Sequence, residues 1–294
     1  MICGRLALPS LSELRERVQS HKHARGKISV EEVVEDIQTL HTDVTHGGSP
    51  FQVASQFNLL EIAHPSITPE AGIGRYESDR TQGPACAIAA GAGTIYRNYF
   101  AVVNGQVGQS ERNQIDCLAD LGSVLGNTEG ALWQMRNGYA LASPDGLNSI
   151  SKRLHNSKAC QLDGLRGLLR IGVQWNTQVT LNGASHLVSQ AYCSALPVAY
   201  SGLGAELWES FARVVLEAAY EATICAAILN SRNTGNNRQF LTLLDGGAFG
   251  NNIQWIFASI EYVLRKYKDW NVEVKIVSKD KSQAHVRQFI ERLS

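Results

Sequence analysis

Two groups of residues have types and spacings suited to chemistry. The first is Gly246-Gly-Ala-Phe-Gly250, which follows the apolar run Phe240-Leu-Thr-Leu-Leu244 and precedes a helical pattern from about Asn252. A glycine-rich turn between a strand and a helix exposes successive backbone N–H groups at the positive end of the helix dipole, so it holds phosphate without Lys or Arg. Glycines also let phosphate oxygens approach the main chain. The loop is neither G-x-G-x-x-G nor a Walker loop, and it fits a plain βα turn as well as a nucleotide cradle. Asp245 adjoins it, and a carboxylate there repels a diphosphate unless it turns away or pairs with a ribose hydroxyl or a metal. The second group is the carboxylates Glu61, Glu70, Glu77 and Asp79, in a loop marked by Pro65, Pro69, Gly72 and Gly74. Glu77 and Asp79 stand two residues apart beside Arg80-Thr81-Gln82 and converge on one site if the loop folds back. A solvated charge pair is the plain alternative. His186 and Cys193 flank a strand and would form a nucleophilic pair or, more simply, a core histidine and a buried thiol. The remaining histidines, His21 and His23 among them, form no H-x-H or H-E-x-x-H metal spacing.

The elements that must position these residues alternate between helix and strand. Residues 11–24 read as a helix capped by Ser10 or Ser12. Ser29-Val-Glu-Glu32 has capping-box spacing, and Val33, Val34, Ile37 and Leu40 follow at helical intervals, which predicts a second helix. Phe51, Val53, Ser55 and Phe57 alternate with Gln52, Ala54 and Gln56, a strand ending at Asn58. The small residues of 84–97 read as a closely packing helix, and 104–165 reads as an insertion with helices near 111–125 and 128–137. Strands follow at 171–181 and 186–200, then a long amphipathic helix at 206–229. Strand 240–244, helix 253–266, strand 272–277 and helix 281–293 complete the chain. This order predicts a layered α/β domain spanning 1–294, with 1–46 as a helical extension.

Composition narrows the function classes. The 294 residues carry 27 Lys+Arg and 27 Asp+Glu, a formal charge of zero, which gives no broad basic footprint for extended nucleic acid. Hydrophobic residues are 44% and charged ones 18%, enough to bury a core. No run of ~18 apolar residues predicts a membrane span. The six widely spaced cysteines, with no secretory leader pattern at the start, read as reduced thiols of a cytoplasmic protein.

The C-terminal third resembles a macrodomain, the ADP-ribose-binding α/β/α sandwich. The resemblance rests on Val188-Ser-Gln-Ala-Tyr192 with Pro197, helix 206–229, strand 240–244, the glycine loop, helix 253–266 and strand 272–277. Gly246-Gly-Ala-Phe-Gly250 is similar to the Gly-Ala-Phe-Gly loop of poly(ADP-ribose) glycohydrolases. Phe51-Gln-Val-Ala-Ser-Gln-Phe-Asn58 resembles the macrodomain strand ending in an Asn at the distal ribose, and Thr81-Gln-Gly-Pro84 stands where the family has its first glycine-rich loop. The usual Gly-Gly-Gly of that loop and the paired-glutamate signature of the hydrolases are absent.

The resemblance implies a three-layer α/β/α sandwich on a mixed sheet, with ADP-ribose or an ADP-ribosylated target as partner. It implies a ligand site of Gln56, Asn58, Thr81, Gln82, Gly83 and the segment Asp245, Gly246, Gly247, Ala248, Phe249, Gly250 and Asn251, with Phe249 against the distal ribose. It further implies hydrolysis of an ADP-ribosyl linkage by water at C1″, assisted by Glu77, Asp79 or Glu61, with neither cofactor nor metal. The alternatives are a non-catalytic ADP-ribose reader and an α/β interaction protein without a nucleotide.

Overall fold

A computed structural model describes residues 1–20, 26–244 and 246–293; His21, His23 and Asp245 lie outside the described residues. The strands are β1 (Arg5–Ala7), β2 (Ser29–Val34), β3 (Pro50–Ala54), β4 (Val102–Val103), β5 (Gln106–Val107), β6 (Trp133–Arg136), β7 (Tyr139–Ala142), β8 (Gly172–Gln178), β9 (Leu187–Cys193), β10 (Arg238–Leu241) and β11 (Glu273–Ser278). The helices are α1 (Leu11–Gln19), α2 (Ile37–Thr42), α3 (Gln82–Ala89), α4 (Gly91–Ile95), α5 (Ala119–Leu125), α6 (Pro144–His155), α7 (Ala159–Gly167), α8 (Ala205–Thr234), α9 (Ile253–Lys266) and α10 (Ala284–Leu293).

Seven strands form one mixed sheet in the order β1-β8-β9-β3-β10-β11-β2. The β1–β8 and β8–β9 pairs are antiparallel, and β9–β3–β10–β11–β2 run parallel. Alternation along β3 separates the two helical layers. Phe51 stacks on His41 of α2, with ring centroids 3.8 Å apart. Its neighbour Gln52 points the other way and donates from Nε2 to Thr223 Oγ1 of α8 at 2.9 Å. Strand residues alternate faces, so α2 and α3 cover one side and α8 the other.

Helix α8 is 30 residues long and buried around most of its circumference, which follows from its place between the sheet and a second helical layer. Arg15 of α1 grips the fully buried Glu221 of α8 through Nε at 2.6 Å and Nη2 at 2.7 Å. Lys266 at 2.8 Å and the Tyr267 hydroxyl at 2.9 Å complete that knot, tying α1, α8 and the end of α9 together. Among the described residues no helix is long and apolar enough to cross a membrane.

Several expected elements differ. Residues 29–34 form an edge strand parallel to β11, not a helix, so 1–46 supplies two strands (β1 and β2) to the sheet. The β-branched Val30, Val33 and Val34 suit a strand, and the true cap is Asp36, whose Oδ1 accepts from Gln38 N at 2.8 Å to start α2. The small-residue helix is broken at Ala90, where φ −117° and ψ 57° separate α3 from α4. In the insertion, the expected helix at 128–137 is instead the β6–β7 hairpin. Its Asn137-Gly138 turn takes φ 48° and 81°, the type I′ geometry that joins two strands tightly. Helices α6 and α7, unanticipated within 104–165, pack on α8.

Candidate functional site

A cleft of about 350 Å³ opens beyond the C-terminal ends of β3 and β10, where open α/β sheets bind ligands. One wall is the loop after β10. Tyr220 of α8 fixes its start, donating to Thr242 O at 3.0 Å and accepting from Leu244 N at 2.8 Å. Gly247, Ala248 and Phe249 line the cleft; Gly246, Gly250 and Asn251 are not part of its lining. Gly250 takes φ +72°, and a Cβ there would sit 3.0 Å from Ala199 Cβ. Asn251 is buried and donates to Leu196 O at 2.9 Å. Asn252 Oδ1 accepts from Gln254 N at 2.8 Å and starts α9 directly after the loop.

The opposite wall is the entry to α3. Gln82 bridges two main-chain groups of β3, donating to Gln52 O at 2.8 Å and accepting from Ala54 N at 2.9 Å. A Cβ at Gly83 would overlap both the Ala54 carbonyl oxygen and Glu61 Oε2. The glycine therefore leaves the space in which the Glu61 carboxylate lies. Asp79 lines the cleft mouth, and its Oδ1 accepts from Thr81 N at 2.9 Å and Thr81 Oγ1 at 2.7 Å.

Glu61 is 5% exposed and is carried by a tightly fixed turn. Leu59 N donates to Gln56 O at 2.8 Å, Leu60 N to Asn58 Oδ1 at 3.1 Å, and Glu61 N to Tyr76 Oη at 3.0 Å. Ile62 N donates to Gln56 Oε1 at 2.6 Å. Leu59 sits at φ +65°, a strained position for a residue with a side chain. The fully buried Arg97 holds the Leu59 carbonyl through Nε at 3.1 Å, its guanidinium 3.6 Å from the Tyr192 ring centroid. Burial and the nearby Glu61 charge push the Tyr76 hydroxyl and the Cys86 thiol upward, so both stay protonated.

The two ends of the cleft differ. At one end Tyr139, Tyr200 and Phe249 form an aromatic cluster with centroids 5.1 to 5.6 Å apart, and Tyr139 donates to Ile62 O. At the other, Thr81, Gln82, Thr242 and Lys279 lead into a second cavity of about 170 Å³. Its walls include the apolar Ile37, Ala85 and Val277 and the carboxylate of Asp36, which lies 3.7 Å from Lys279 Nζ.

The fold thus gathers Gln56, Glu61, Asp79, Thr81, Gln82, Gly83, Gly247, Ala248 and Phe249 around one cavity. Glu77 is not among them; it is exposed on a 3-10 turn over 73–78, its neighbour Tyr76 taking the inward position. Asn58 is corrected as well. The strand ends at Ala54, so Asn58 falls in the turn behind the cleft, fully buried, its Nδ2 donating to Gln114 Oε1 at 2.9 Å. His186 and Cys193 sit at opposite ends of β9; His186 Nε2 donates to His41 O at 2.8 Å, and Cys193 packs on Thr223. Among the described residues no group of three His, Cys, Asp or Glu is arranged to hold a metal. Sequence reasoning missed Tyr139, Tyr200 and Lys279 in the cleft and Asp36 in the cavity beyond it. Asp36 was legible as a helix cap, and Tyr139 follows an Asn-Gly hairpin signal.

No protein-family model matches the chain, and no curated protein matches its sequence. Solved structures do match in fold. A point variant of poly(ADP-ribose) glycohydrolase from Deinococcus radiodurans, crystallised with ADP-ribose, aligns with a TM-score of 0.54 at 10% identity, over 99% of this chain and 95% of that one. Another crystal structure of the Deinococcus radiodurans glycohydrolase with ADP-ribose gives 0.52 at 10% identity, over 99% and 95%. The Thermomonospora curvata glycohydrolase gives 0.48 at 13% identity, over 98% and 85%. The chain has the mixed-sheet α/β fold of the Deinococcus radiodurans structures.

Proposed function

We propose that the cleft binds ADP-ribose and that the protein hydrolyses an ADP-ribosyl linkage, releasing ADP-ribose from a modified target. The observation that carries this reading is the convergence, in one cleft, of the Gly247–Phe249 loop at a helix start and a buried Glu61 seated against Gly83. The fold shared with glycohydrolases crystallised with ADP-ribose supports it.

In this reading the Gly247 and Ala248 main chain takes the diphosphate, helped by the dipole of α9. The base lies against Ala85 and Val277, its exocyclic amine donating to Asp36. The distal ribose lies against Phe249, with Tyr139 and Tyr200 behind it. Glu61 delivers a proton to the departing oxygen as the C1″–O bond breaks and takes one from the attacking water. One water is consumed, and no redox partner is needed. Glu61 replaces Glu77 as the leading acid–base residue, and Asp79, already bonded twice to Thr81, is left to orient the α3 entry.

The test is release of ADP-ribose from ADP-ribosylated protein. Glu61→Gln should lower turnover by about 100-fold or more while leaving ADP-ribose affinity within about threefold. Unchanged turnover in Glu61→Gln removes the assigned role. The commitment of Asp79 Oδ1 to Thr81 favours a second reading, a reader without turnover, which predicts ADP-ribose binding and no release by the wild type.

A further inference from the structure

Arg97 is a fully buried guanidinium that the proposed reaction does not use directly. A buried charge is costly unless its hydrogen bonds are met, yet among the described residues Arg97 Nη1 has no hydrogen-bond partner. An apolar side chain of similar volume would spare the fold that cost. The geometry of the residue accounts for its retention. Nε donates to Leu59 O at 3.1 Å and Nη2 donates to Thr94 Oγ1 at 3.2 Å, while the flat face lies 3.6 Å from the centroid of the Tyr192 ring. A ring beneath and an acceptor at each edge leave the planar fork one orientation.

The backbone around Arg97 is shaped to deliver it. Residues Tyr96–Phe100 form a π-helical turn after α4, in which Ala101 N donates to Tyr96 O, five residues back, at 2.8 Å. Such turns concentrate at functional sites. The wider turn leaves the consecutive residues Arg97 and Asn98 both buried, with Tyr99 and Phe100 exposed. Gln109 ties this segment to the turn before Glu61, its Nε2 donating to Arg97 O at 3.1 Å and to Asn58 O at 3.0 Å. The carbonyls of Asn58 and Leu59 are thus both held from the 97–109 segment, and Leu59 sits at φ +65°. A strained residue keeps such a conformation only where its surroundings fix it. Glu61 follows two residues later, its own amide held by Tyr76 Oη at 3.0 Å. Arg97 and Glu61 share one buried neighbourhood. Burial is the main cause that raises the Tyr76 and Tyr192 hydroxyls and the Cys86 thiol; on all three the Glu61 charge adds to the rise and the Arg97 charge opposes it.

We infer that Arg97 is a positioning residue for Glu61: by fixing the Leu59 carbonyl, its buried guanidinium sets where the Glu61 carboxylate stands in the cleft. This role rests on the reading of Glu61 as the acid–base group. Arg97 is not among the lining residues of the cleft, so it acts through the turn and not on the substrate. Misplacing a reacting group by about 1 Å lowers turnover by about 100-fold, whereas the glycine loop that would hold the ligand lies on other elements. Loss of Arg97 should therefore act on kcat and spare affinity.

The experiment compares the wild type, Arg97→Lys, Glu61→Gln and the double variant in release of ADP-ribose from ADP-ribosylated protein, with calorimetric affinity for ADP-ribose alongside. Arg97→Lys keeps the charge but cannot lie flat on Tyr192 and donate sideways at once. It should lower kcat by about tenfold or more, with KM and ADP-ribose affinity within about threefold of the wild type. In the Glu61→Gln background the same change should cost less than about twofold, because no carboxylate is left to place. General structural damage would instead lower turnover equally in both backgrounds and weaken ADP-ribose binding. Hydrogen exchange reads the turn without any ligand: the amides of Leu59, Leu60, Glu61 and Ile62 should exchange about tenfold faster in Arg97→Lys, and those of α8 at the wild-type rate. Thr94→Val, which removes the Nη2 acceptor and keeps the guanidinium, is the second variant, decisive if Arg97→Lys does not fold. It should show the same pattern with kcat lowered by about threefold. Wild-type kcat in both variants, equal losses in the two backgrounds, or unchanged exchange at 59–62 overturns the inference. A wild type that releases no ADP-ribose overturns the reading of the cleft instead, and the exchange rates still score the hold of Arg97 on the turn.

Discussion

Glu61 and Gly83 form the smallest unit on which the site depends. The carboxylate occupies the volume that any Cβ at position 83 would need. Gly83→Ala must therefore shift both Glu61 and the Ala54 carbonyl, or the α3 entry itself. The expected outcome is a folded protein whose ADP-ribose release falls by about 100-fold, measured beside its melting temperature. Full activity in Gly83→Ala would mean that the Glu61 position is irrelevant to turnover. Part of this unit was legible in the sequence. Glu61 could be picked by type and spacing, and Gln82, Gly83 and Phe249 through the macrodomain resemblance. That Glu77 lies outside the cleft was not legible, because spacing does not report which face of the two-turn 3-10 helix over 73–78 is buried; Tyr76 takes it. The end of the strand before Asn58 was misplaced because period-two alternation continues in the sequence through Ser55 and Phe57, past the Ala54 end of β3. Beyond that end the chain reverses through Leu59 at φ +65°, held by Arg97 from a distant segment.

At the scale of elements, the β6–β7 hairpin is what the insertion contributes to the cleft. Gly138 at its tip takes φ +81°, and a Cβ there would lie 2.6 Å from Asn58 Oδ1 and 2.6 Å from Gln56 Cβ. Gly138→Ala is therefore both strained and crowded. It should destabilise the protein by about 1–3 kcal/mol, and it should weaken ligand binding because Tyr139 follows directly. Chemical denaturation together with ADP-ribose titration checks this; a variant with wild-type values in both would detach the hairpin from the site. The Asn-Gly dipeptide between Trp133-Gln-Met-Arg136 and Tyr139-Ala-Leu-Ala142 is the standard signal of such a hairpin and outweighs the helical pattern expected over 128–137. The strong periodicities of α8, α9 and β11 were legible because their apolar faces pack on the sheet. Strand β2 was not, because an edge strand shares its helix-like spacing of valines with a true amphipathic helix.

Over the whole molecule, zero net charge is compatible with the proposed anion site because the cleft offers the main chain of Gly247 and Ala248 and, among the described residues, no arginine. Acid stability is also set at this scale. His41 is fully buried between sheet and α2; its Nδ1 donates to Ile37 O at 2.7 Å, and its Nε2 accepts from Gln190 Nε2 at 3.1 Å. Burial lowers its pKa to about 4 from 6.5. The unfolded chain thus binds this proton first, and the neutral imidazole's contribution is complete above about pH 6.5 and lost as pH falls toward 4. The loss amounts to about 3 kcal/mol. His41→Gln should flatten the stability profile across that window, as read by urea denaturation at stepped pH, and an unchanged slope would reassign the acid sensitivity to other groups.

The central claim, that the cleft beyond β3 and β10 is an ADP-ribose site, is tested most directly by calorimetric titration of the wild type and Gly247→Val with ADP-ribose. A Cβ at Gly247 meets no protein atom within 4 Å, so the substitution spares the fold and fills ligand space instead. The account predicts saturable one-to-one binding by the wild type, weakened by about tenfold or more in Gly247→Val at an unchanged melting temperature. No heat from the wild type at about 1 mM ADP-ribose, or equal affinity in the two proteins, would contradict it.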